Sequence, residues 1–358
     1  MKKLDFIFVI LFMIVLIIFG IMFITSKEKE YSKEEDRLLA NRPNMHFFSR
    51  ETVAGIEQFY QDQFLYRNTF LELETYLNTK LGIYEKNNVY IGNNDYLFEK
   101  TKKIEYSDEF VKYLNQFYKE HNSLNMSLIL IPSHITINPN LKENTPIYDE
   151  YEDIKDIYRK ITFNTIDVVN TLKEGNKEYE MYYHTDSHLT SYGAYNVYLE
   201  YASSSLLESY FITDFDILKV TNDFSGNLIR KVHNFNSKKD TIVKFVPRIE
   251  PVLEIEYEGN IIDSFYFENA LNDEYMYYYF LGEVPLLTIT NKEAEGEILI
   301  LKDESANAII PFLTNHYYKV HVIDTNLYQS SFSEYLENHK EIREVLFIYG
   351  LNDIDNLI

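Results

Sequence analysis

The sequence predicts an α/β protein that is built on a doubly wound, mostly parallel sheet and preceded by a transmembrane helix. Four short apolar runs predict the sheet, at residues 126–133, 297–302, 319–324 and 344–350. Each run is too short for most helices and suits a strand that is buried on both faces. Helix-length spacers separate the last three runs, and strands that alternate with helices form parallel sheets. A separate apolar stretch at the N-terminus predicts the transmembrane helix.

The N-terminal stretch, Phe6 to Ile24, is nineteen residues long and apolar apart from Gly20. At about 1.5 Å of rise per residue such a helix reaches nearly 30 Å, roughly one hydrocarbon core. No Ala-x-Ala-like cleavage site follows it, and the flank at 27–37 is charged, so we interpret residues 1–25 as an uncleaved signal anchor. We therefore expect a single-pass protein of the cell membrane.

The charges that flank the anchor do not decide its orientation. Lys2 and Lys3 precede it, and four basic residues follow it: Lys27, Lys29, Lys33 and Arg37. A long trailing domain can translocate regardless of nearby basic residues. We therefore expect the bulk of the chain to be extracytoplasmic.

The composition indicates an acidic globular protein. The chain of 358 residues has a formal net charge of −22, with 46% hydrophobic and 25% charged residues. A surface this acidic repels nucleic acid, so we expect no DNA or RNA partner. Cysteine is absent, which excludes disulfides, thiolate metal sites and a cysteine nucleophile. Because there are 32 Tyr and no Trp, Tyr is the main aromatic residue available for stacking on a ligand.

The segment between the anchor and the sheet is predicted to be a linker followed by helices. Residues 26–50 are interpreted as a juxtamembrane linker, polar at first and then interrupted by Asn41–Asn44. From 51 to 81 the apolar residues recur at a spacing of roughly 3.6, which predicts one long helix or two short ones that end at Gly82. Residues 89–98 place two strand-like runs around a Gly-Asn-Asn-Asp turn, the pattern of a β-hairpin.

Residues 51–358 are expected to form the sheet domain, with a helix at 107–121 and a β-rich insertion at about 221–290. Runs such as 241–246 and 253–257 have the pattern of antiparallel strands. They predict either an insertion in the sheet domain or a small β subdomain.

Polar residues gather where the predicted parallel strands end. In an open parallel sheet, ligands bind at the carboxyl ends of the strands. The polar residues that follow the four runs are Ser133, His134, the turn 302–307, Asp324, Asn352 and Asp353.

The densest group of reactive side chains lies at 182–193. Asp186 and His188 are two residues apart, so in extended backbone both side chains leave on one face, and Thr190 can cap a helix that runs through Tyr201. An Asp beside a His fixes the imidazole tautomer and stabilises its cation. This arrangement suits a His that acts as general base to a serine hydroxyl.

The same segments have other interpretations. His184, Asp186 and His188 form a His-x-Asp-x-His pattern, whose alternate residues can all ligate one metal ion. The segment can also be a polar loop that caps a helix and holds a structural His. For the turn 302–307, the corresponding alternative is an ordinary polar strand-to-helix connection.

The order of motifs along the chain resembles the DHHW family, a branch of the SGNH-hydrolase-like proteins that includes the alginate O-acetylation proteins. The resemblance begins with the N-terminal anchor and continues through Asn41–Pro43, Phe59–Arg67, the hairpin Val89–Phe98, Thr185–Thr190, Tyr279–Gly282 and Lys302–Leu313. It implies an SGNH-hydrolase-like sheet domain that carries out acyl transfer outside the cytoplasm on a membrane anchor.

The resemblance also implies partners and a catalytic triad. The implied acetyl donor is a membrane-bound O-acyltransferase (MBOAT), and the implied acceptor is a polysaccharide. No cofactor and no metal are implied. The family's Asp and catalytic His fall on Asp186 and His188, and a serine after the Lys302 strand completes the triad.

The sequence departs from the family pattern in three places. The family's first His is Ser187, its Trp is Leu189, and its usual Lys-Asp-Ser-Tyr-Ala-Asn reads Lys-Asp-Glu-Ser-Ala-Asn. Holding Ala306 and Asn307 in register puts Glu304 where the nucleophile belongs and Ser305 one residue later.

We therefore expect an O-acetyltransferase-like protein that acts on a cell-envelope or secreted polysaccharide by a Ser-His-Asp acyl-enzyme mechanism. Ser305 attacks the acetyl donor, His188 takes its proton, and Asp186 orients His188. The alternative is a catalytically inactive polysaccharide-binding or assembly partner of the acyltransferase, which keeps the fold and has lost the nucleophile.

Two further groups of residues are expected at the site. The residues expected to support the turn or an oxyanion hole made of its backbone N–H groups are Lys302, Asp303, Glu304 and Asn307. The residues expected to contact the polysaccharide are Tyr183, Thr190 and Ser133.

Overall fold

The structure, a computed structural model, describes residues 2–32, 37–42, 50–138, 140–234, 238–272 and 276–357. Pro43 and Asn44 of the predicted linker lie outside these residues. The described residues form two compact units, Met1–Ile83 with Arg230–Asn236 and Tyr84–Ile229 with Ser237–Ile358.

The first unit contains the apolar helix α1 (Lys2–Thr25), the short antiparallel strands β1 (Tyr31–Ser32) and β2 (Arg37–Leu38), and the helices α2 (Arg50–Asp62) and α3 (Arg67–Lys80). Among the described residues, α1 is the one helix that is long and apolar enough to cross a membrane. The periodicity at 51–81 thus corresponds to two helices rather than one. Gly82 follows α3 with φ +83°, a left-handed conformation that glycine adopts without strain.

The helices α2 and α3, which were predicted with the sheet domain, belong to the first unit. The helix α3 is fixed there by Thr75, whose hydroxyl donates a hydrogen bond of 2.6 Å to the carbonyl of Val232.

The second unit carries the sheets and most of the helices. Its helices are α4 (Ser107–Glu120), α5 (His134–Ile137), α6 (Glu150–Lys160), α7 (Val169–Gly175), α8 (Ser191–Ser204), α9 (Asn227–Val232, shared with the first unit), α10 (Ile310–Leu313) and α11 (Phe332–Asn338). Its strands are β3 (Glu85–Lys86), β4 (Val89–Ile91), β5 (Leu97–Glu99), β6 (Asn125–Ile131), β7 (Asn164–Ile166), β8 (Phe215–Phe224), β9 (Asp240–Pro247), β10 (Leu253–Tyr257), β11 (Asn260–Ile262), β12 (Leu286–Asn291), β13 (Glu297–Lys302), β14 (Lys319–Asp324) and β15 (Ile342–Gly350).

Within the described residues, eight strands form the central sheet in the order β11-β10-β12-β14-β13-β15-β6-β7. The five strands from β14 to β7 are parallel to one another, and β12, β10 and β11 extend the sheet beyond β14 in antiparallel pairing. The predicted fold class is therefore confirmed: a mostly parallel α/β sheet with an antiparallel β region and an apolar N-terminal helix. The inner residues of β6, β13, β14 and β15 are buried, as their continuous apolar runs predict.

The β-rich region divides between two places. β10, β11 and β12 join the central sheet, whereas β8 and β9 pair with each other as a separate antiparallel ribbon. β4 and β5 form the predicted hairpin, and β3 adds a third strand to it.

The topology brings the polar ends of the parallel strands together. β13 lies between β14 and β15, so the chain after β14 must cross over β13 to enter β15. The carboxyl ends on either side of such a reversal leave a crevice in which α/β proteins bind ligands. Lys302, Asp324 and Gly350 end these three strands.

Candidate active site

Asp186 and His188 form a buried pair. Oδ1 of Asp186 lies 2.5 Å from Nδ1 of His188 and also accepts a hydrogen bond of 3.0 Å from the His188 backbone N–H. One carboxylate oxygen of Asp186 thus contacts both the ring and the backbone N–H of His188. A carboxylate that accepts from the backbone N–H two residues later forms an Asx turn. The following Thr190 caps α8, where its hydroxyl accepts from the Gly193 N–H at 3.2 Å.

Asp240, at the start of β9, fixes the segment that precedes this pair. Its two carboxylate oxygens accept the backbone N–H groups of His184 and Thr185 at 3.0 and 2.9 Å and the Thr185 hydroxyl at 2.5 Å. Its Oδ1 also lies 2.9 Å from Nδ1 of His184. A single buried carboxylate therefore determines the backbone path that leads into Asp186.

Asp186 is held from its other side by the chain after β8. Its Oδ2 accepts the backbone N–H of Asn227 at 2.9 Å. Gly226 is packed so closely that an added Cβ would lie 2.2 Å from the Thr185 carbonyl oxygen and 2.3 Å from Cβ of Asp186. Real Cβ atoms do not approach other atoms this closely, so this position requires glycine.

His188 is enclosed and carries a positive charge. Its ring is stacked on Tyr277, with the ring centroids 4.1 Å apart and the planes 18° from parallel. Burial by itself would lower the pKa of His188, but the charges and hydrogen bonds of Asp186 and Glu304 outweigh it and raise the pKa well above the ordinary value. Burial would likewise raise the pKa of Asp186, but its contacts with His188 and the backbone lower it. Each group therefore favours the charged form of the other.

The carboxylate of Glu304 faces the other nitrogen of the imidazole. Its Oε1 lies 3.4 Å from Nε2 of His188. Burial would raise the pKa of Glu304, but the hydrogen bond and charge of His188 lower it. His188 is thus a cation between two carboxylates, Asp186 at Nδ1 and Glu304 at Nε2.

Ser305, the predicted nucleophile, is not brought to His188. Its hydroxyl points toward β15, where a Cβ added at Gly350 would lie 2.4 Å from Oγ of Ser305. The reason is the conformation of the turn: Asp303 accepts the Ser305 N–H at 2.9 Å and the Gly350 N–H at 2.7 Å, which ties the turn to the end of β15. In this register Glu304 faces the imidazole and Ser305 faces the sheet.

Three backbone N–H groups of the turn 302–307, where the oxyanion hole was predicted, make hydrogen bonds inside the turn. The N–H of Ser305 is bonded to the Asp303 side chain, and the N–H groups of Ala306 and Asn307 are bonded to the carbonyls of Asp303 and Glu304. These three amides point into the turn and not toward a substrate.

The predicted supporting residues have separate roles. Lys302 is buried and donates to Oδ2 of Asp324 at 2.6 Å. Asp303 is fully buried, and burial, with the nearby charge of Asp353, raises its pKa to about 7. Asn307 is 1% exposed, and within the part of the chain that the structure describes neither of its amide atoms has a hydrogen-bond partner.

The residues predicted to contact a polysaccharide are occupied within the protein. Ser133 bonds to Glu150 through its N–H at 2.6 Å and its hydroxyl at 2.7 Å. Tyr183 is buried and packs edge-on against Phe224. The hydroxyl of Thr190 donates to the Glu180 carbonyl at 2.6 Å. The polar atoms of Ser133 and Thr190 thus complete a turn and a helix cap, whereas the buried Tyr183 hydroxyl has no hydrogen-bond partner among the described residues.

The His-x-Asp-x-His pattern does not gather around one point. His184 is paired with Asp240, and His188 is paired with Asp186. Among the described residues, no group of three or more His, Asp or Glu side chains is arranged to hold a metal ion.

Sequence reasoning missed three contributors to the site. Asp240 and Tyr277 are far from Asp186 in sequence and lie in segments whose pattern signals only strands or aromatic content. Gly226 was detectable in principle, because a Ser-Gly-Asn stretch between a strand and a helix commonly marks a tight approach of two backbones.

The sequence matches no family model and no curated protein. The structure is similar to a DHHW family protein from Eubacterium siraeum, with a TM-score of 0.65, 16% identity and coverage of 75% of this chain and 93% of that chain. It is also similar to PatB1 of Bacillus cereus with a sulfonyl adduct, with a TM-score of 0.62, 17% identity and coverage of 75% and 97%. A second structure of PatB1 gives a TM-score of 0.58, 19% identity and coverage of 74% and 96%.

These similarities cover nearly the whole of the compared chains and three quarters of this one. At such low identity they establish the fold and not the chemistry. The chain therefore has the α/β fold that is seen in the DHHW family protein and in PatB1.

Proposed function

We propose that this protein is a membrane-anchored polysaccharide-binding or assembly partner of a membrane-bound O-acyltransferase, and that it has no serine acyl-transfer reaction of its own. The observation that carries the proposal is the contact of 3.4 Å between Oε1 of Glu304 and Nε2 of His188. A carboxylate takes the place from which a hydroxyl would give up its proton.

The chemistry of acyl transfer supports this reading. A general base must reach the nucleophile's proton, whereas Nε2 of His188 faces the Glu304 carboxylate, and the two neighbouring carboxylates raise the pKa of His188 well above its ordinary value. A tetrahedral intermediate also needs donors for its developing negative charge. The Glu304 carboxylate would repel that charge, and the N–H groups of Ser305, Ala306 and Asn307 are engaged inside the turn.

The membrane context rests on the N-terminal helix and on the sequence resemblance. The window Asp5–Met22 of α1 has the length and apolar character of a membrane span. The resemblance to the DHHW family supplies the MBOAT partner, the polysaccharide ligand and the extracytoplasmic location of the sheet domain. Protease added to intact protoplasts tests the location: digestion of the sheet domain supports it, and protection until lysis contradicts it.

The test of the catalytic question is ester turnover by the full chain in detergent micelles. Release of acetate from a chromogenic acetyl ester is compared for the wild type, Ser305→Ala and His188→Ala, with Ser330→Ala as an exposed serine control. We expect the four proteins to give the same background rate. A wild-type rate that both Ser305→Ala and His188→Ala abolish, and that Ser330→Ala keeps, would establish the Ser-His-Asp enzyme instead.

Binding is tested on the same preparation. Cell-envelope polysaccharide, before and after chemical removal of its O-acetyl groups, is titrated into the full chain in micelles. Saturable binding of either form supports the proposal. The absence of binding to both forms contradicts it.

A further inference from the structure

A cleft of about 130 Å³ lies at the carboxyl ends of β13 and β14, and it is lined in part by Glu304, whose carboxylate faces His188. Most of the polar side chains that line it are acidic: Glu283, Asp303, Glu304, Asp324 and Asp353, together with the amide of Asn307. We refer to it below as the acidic cleft.

The acidic cleft has more negative than positive charge. Lys302 offsets Asp324, since its Nζ donates to Oδ2 of Asp324 at 2.6 Å. His188 is shared between Glu304 and Asp186, which leaves these three groups with one excess negative charge. Neither Lys nor Arg is among the described residues that line the cleft. The lining therefore complements a cationic group.

Asn307 is the second, independent sign of a ligand. Asn307 is 1% exposed and is one of the residues that line the cleft, and within the described chain both Nδ2 and Oδ1 of its side chain lack a hydrogen-bond partner. Buried polar groups are almost always hydrogen-bonded, and one that is not destabilises the fold. An amide offers a donor and an acceptor side by side, which is the complement of a hydroxyl group.

A metal ion does not fit these observations. Among the described residues, no three His, Asp or Glu side chains are arranged around a common point for a metal. A primary ammonium group needs no fixed coordination geometry, because it is held by ion pairs and three rotatable donors.

We propose that the acidic cleft binds a sugar residue that carries a free amino group next to a hydroxyl group, as glucosamine does. The ammonium group pairs with Glu304 and Asp353, and the neighbouring hydroxyl bonds to the amide of Asn307. This inference rests on the proposed polysaccharide-binding function and specifies the sugar. The net charge of −22 also favours encounter with a cationic glycan over an acidic one.

The experiment is isothermal titration of the full chain in detergent micelles with three tetrasaccharides of one length: β-1,4-glucosamine, β-1,4-N-acetylglucosamine and β-1,4-glucose. We expect the glucosamine tetramer to bind at least about tenfold more tightly than the other two, since only it brings a charge to the cleft. Asp353→Asn and Asn307→Leu should each weaken its binding about tenfold, the loss of one good hydrogen-bonded contact.

Two controls separate the cleft from general charge attraction and from folding. Glu109→Gln, on the exposed side of α4, removes one charge far from the cleft in sequence and should leave the affinity unchanged. Asn307→Leu should unfold at the same or a higher temperature than the wild type without sugar, because it removes an amide that has no partner. A lower unfolding temperature would mean that Asn307 serves the fold and would overturn its assignment.

The remaining outcomes are distinguishable. Equal binding of the amino and N-acetyl tetramers would overturn the inference and leave the proposed function standing. Equal weakening by Glu109→Gln and Asp353→Asn would overturn it as well. Displacement of the glucosamine tetramer by micromolar Ca²⁺ or Mg²⁺ would make the cleft a metal site. Binding of neither the tetramers nor the envelope polysaccharide would contradict the proposed function itself.

Discussion

Glu304 presents its carboxylate to Nε2 of His188 at 3.4 Å, while the neighbouring Ser305 turns its hydroxyl toward Gly350. One residue of register in the turn after β13 therefore decides which side chain meets the imidazole. The surrounding geometry of Asp186 and His188 remains that of a base with its orienting acid. The site can be read as a triad whose nucleophile is replaced.

Replacing that one side chain is predicted to create activity. Glu304→Ser puts a hydroxyl at the position where the family pattern has its serine, and it removes one of the charges that raise the pKa of His188. Because a positioned general base contributes about a hundredfold or more, we expect ester turnover at least about a hundredfold above the wild-type background. The measurement is acetate release from a chromogenic acetyl ester.

Glu304→Ala is the matched control for this gain, since it removes the carboxylate without adding a hydroxyl. We expect no turnover from it, and none from the double variant Glu304→Ser, His188→Ala. Equal rates for Glu304→Ser and Glu304→Ala would show that the new hydroxyl does not react.

Asp240 is predicted to contribute more to the free energy of unfolding than an exposed acidic residue does. Asp240→Ala leaves four donor groups of His184 and Thr185 without their acceptor in a buried place. Leaving a buried donor without its acceptor costs about 1–3 kcal/mol of the free energy of unfolding for each such group. Thermal or chemical unfolding of the full chain measures the loss.

Asp216→Ala on β8 is the control for Asp240→Ala. Asp216 pairs with Arg248 on the surface, and such pairs contribute about 0–1 kcal/mol. If the two variants lose similar stability, Asp240 does not organise the loop.

Gly226 is predicted to tolerate no side chain. In Gly226→Ala the new Cβ would meet the Thr185 carbonyl and Cβ of Asp186 at 2.2 and 2.3 Å, so the backbone must move, at a cost of about 1–3 kcal/mol. The shift would disturb the pair of 2.5 Å between Asp186 and His188. We expect the far-downfield proton resonance of the imidazole Nδ1–H to move or broaden. Ser225→Ala, one residue earlier, should keep that resonance, and an unchanged spectrum of Gly226→Ala would contradict the packing.

Asp303 is predicted to make the fold less stable as the pH rises from about 4 to about 7. Burial, with the charge of Asp353, raises its pKa to about 7 in the folded protein, whereas the unfolded chain has the ordinary value near 3.9. Between these values the folded state binds more protons than the unfolded state, so stability falls with pH and levels off above about 7. Asp303→Asn removes this titration. We expect the wild type to lose unfolding temperature relative to Asp303→Asn between pH 5 and pH 8.

Asp216→Asn, which changes an exposed carboxyl on β8, is measured in parallel as the reference variant. If the unfolding temperature of the wild type instead rises relative to that of Asp303→Asn as the pH increases, the result would contradict the raised pKa of Asp303.

The sequence predicted the sheet because its evidence is local. The runs in β6, β13, β14 and β15 are mostly apolar, as is typical of strands that are buried on both faces. The proximity of Asp186 to His188 was likewise predictable, since they are only two positions apart in the sequence. The neighbours of β10 and β12 in the sheet could not be predicted from the sequence. Alternation of apolar and polar residues identifies a strand but does not say which strand it pairs with.

The side chain that faces the imidazole of His188 is determined by contacts between distant parts of the chain. Whether Glu304 or Ser305 faces the imidazole is set by the bonds from Asp303 to the Ser305 and Gly350 amides, and Gly350 is 47 residues away. The path into Asp186 is set by Asp240, more than fifty residues later. Patterns of residue type carry no information on pairings at such separations.

The position of His188 between the carboxylates of Asp186 and Glu304 affects which experimental methods can detect proteins of this kind. Fluorophosphonate and sulfonyl fluoride reagents label serines whose hydroxyl is activated by a neighbouring base. We expect these reagents not to label this protein. Surveys that identify acetylation proteins by covalent labelling would then find only proteins of similar fold that keep an activated serine. Members with a glutamate at this turn have to be sought through the sugars they retain.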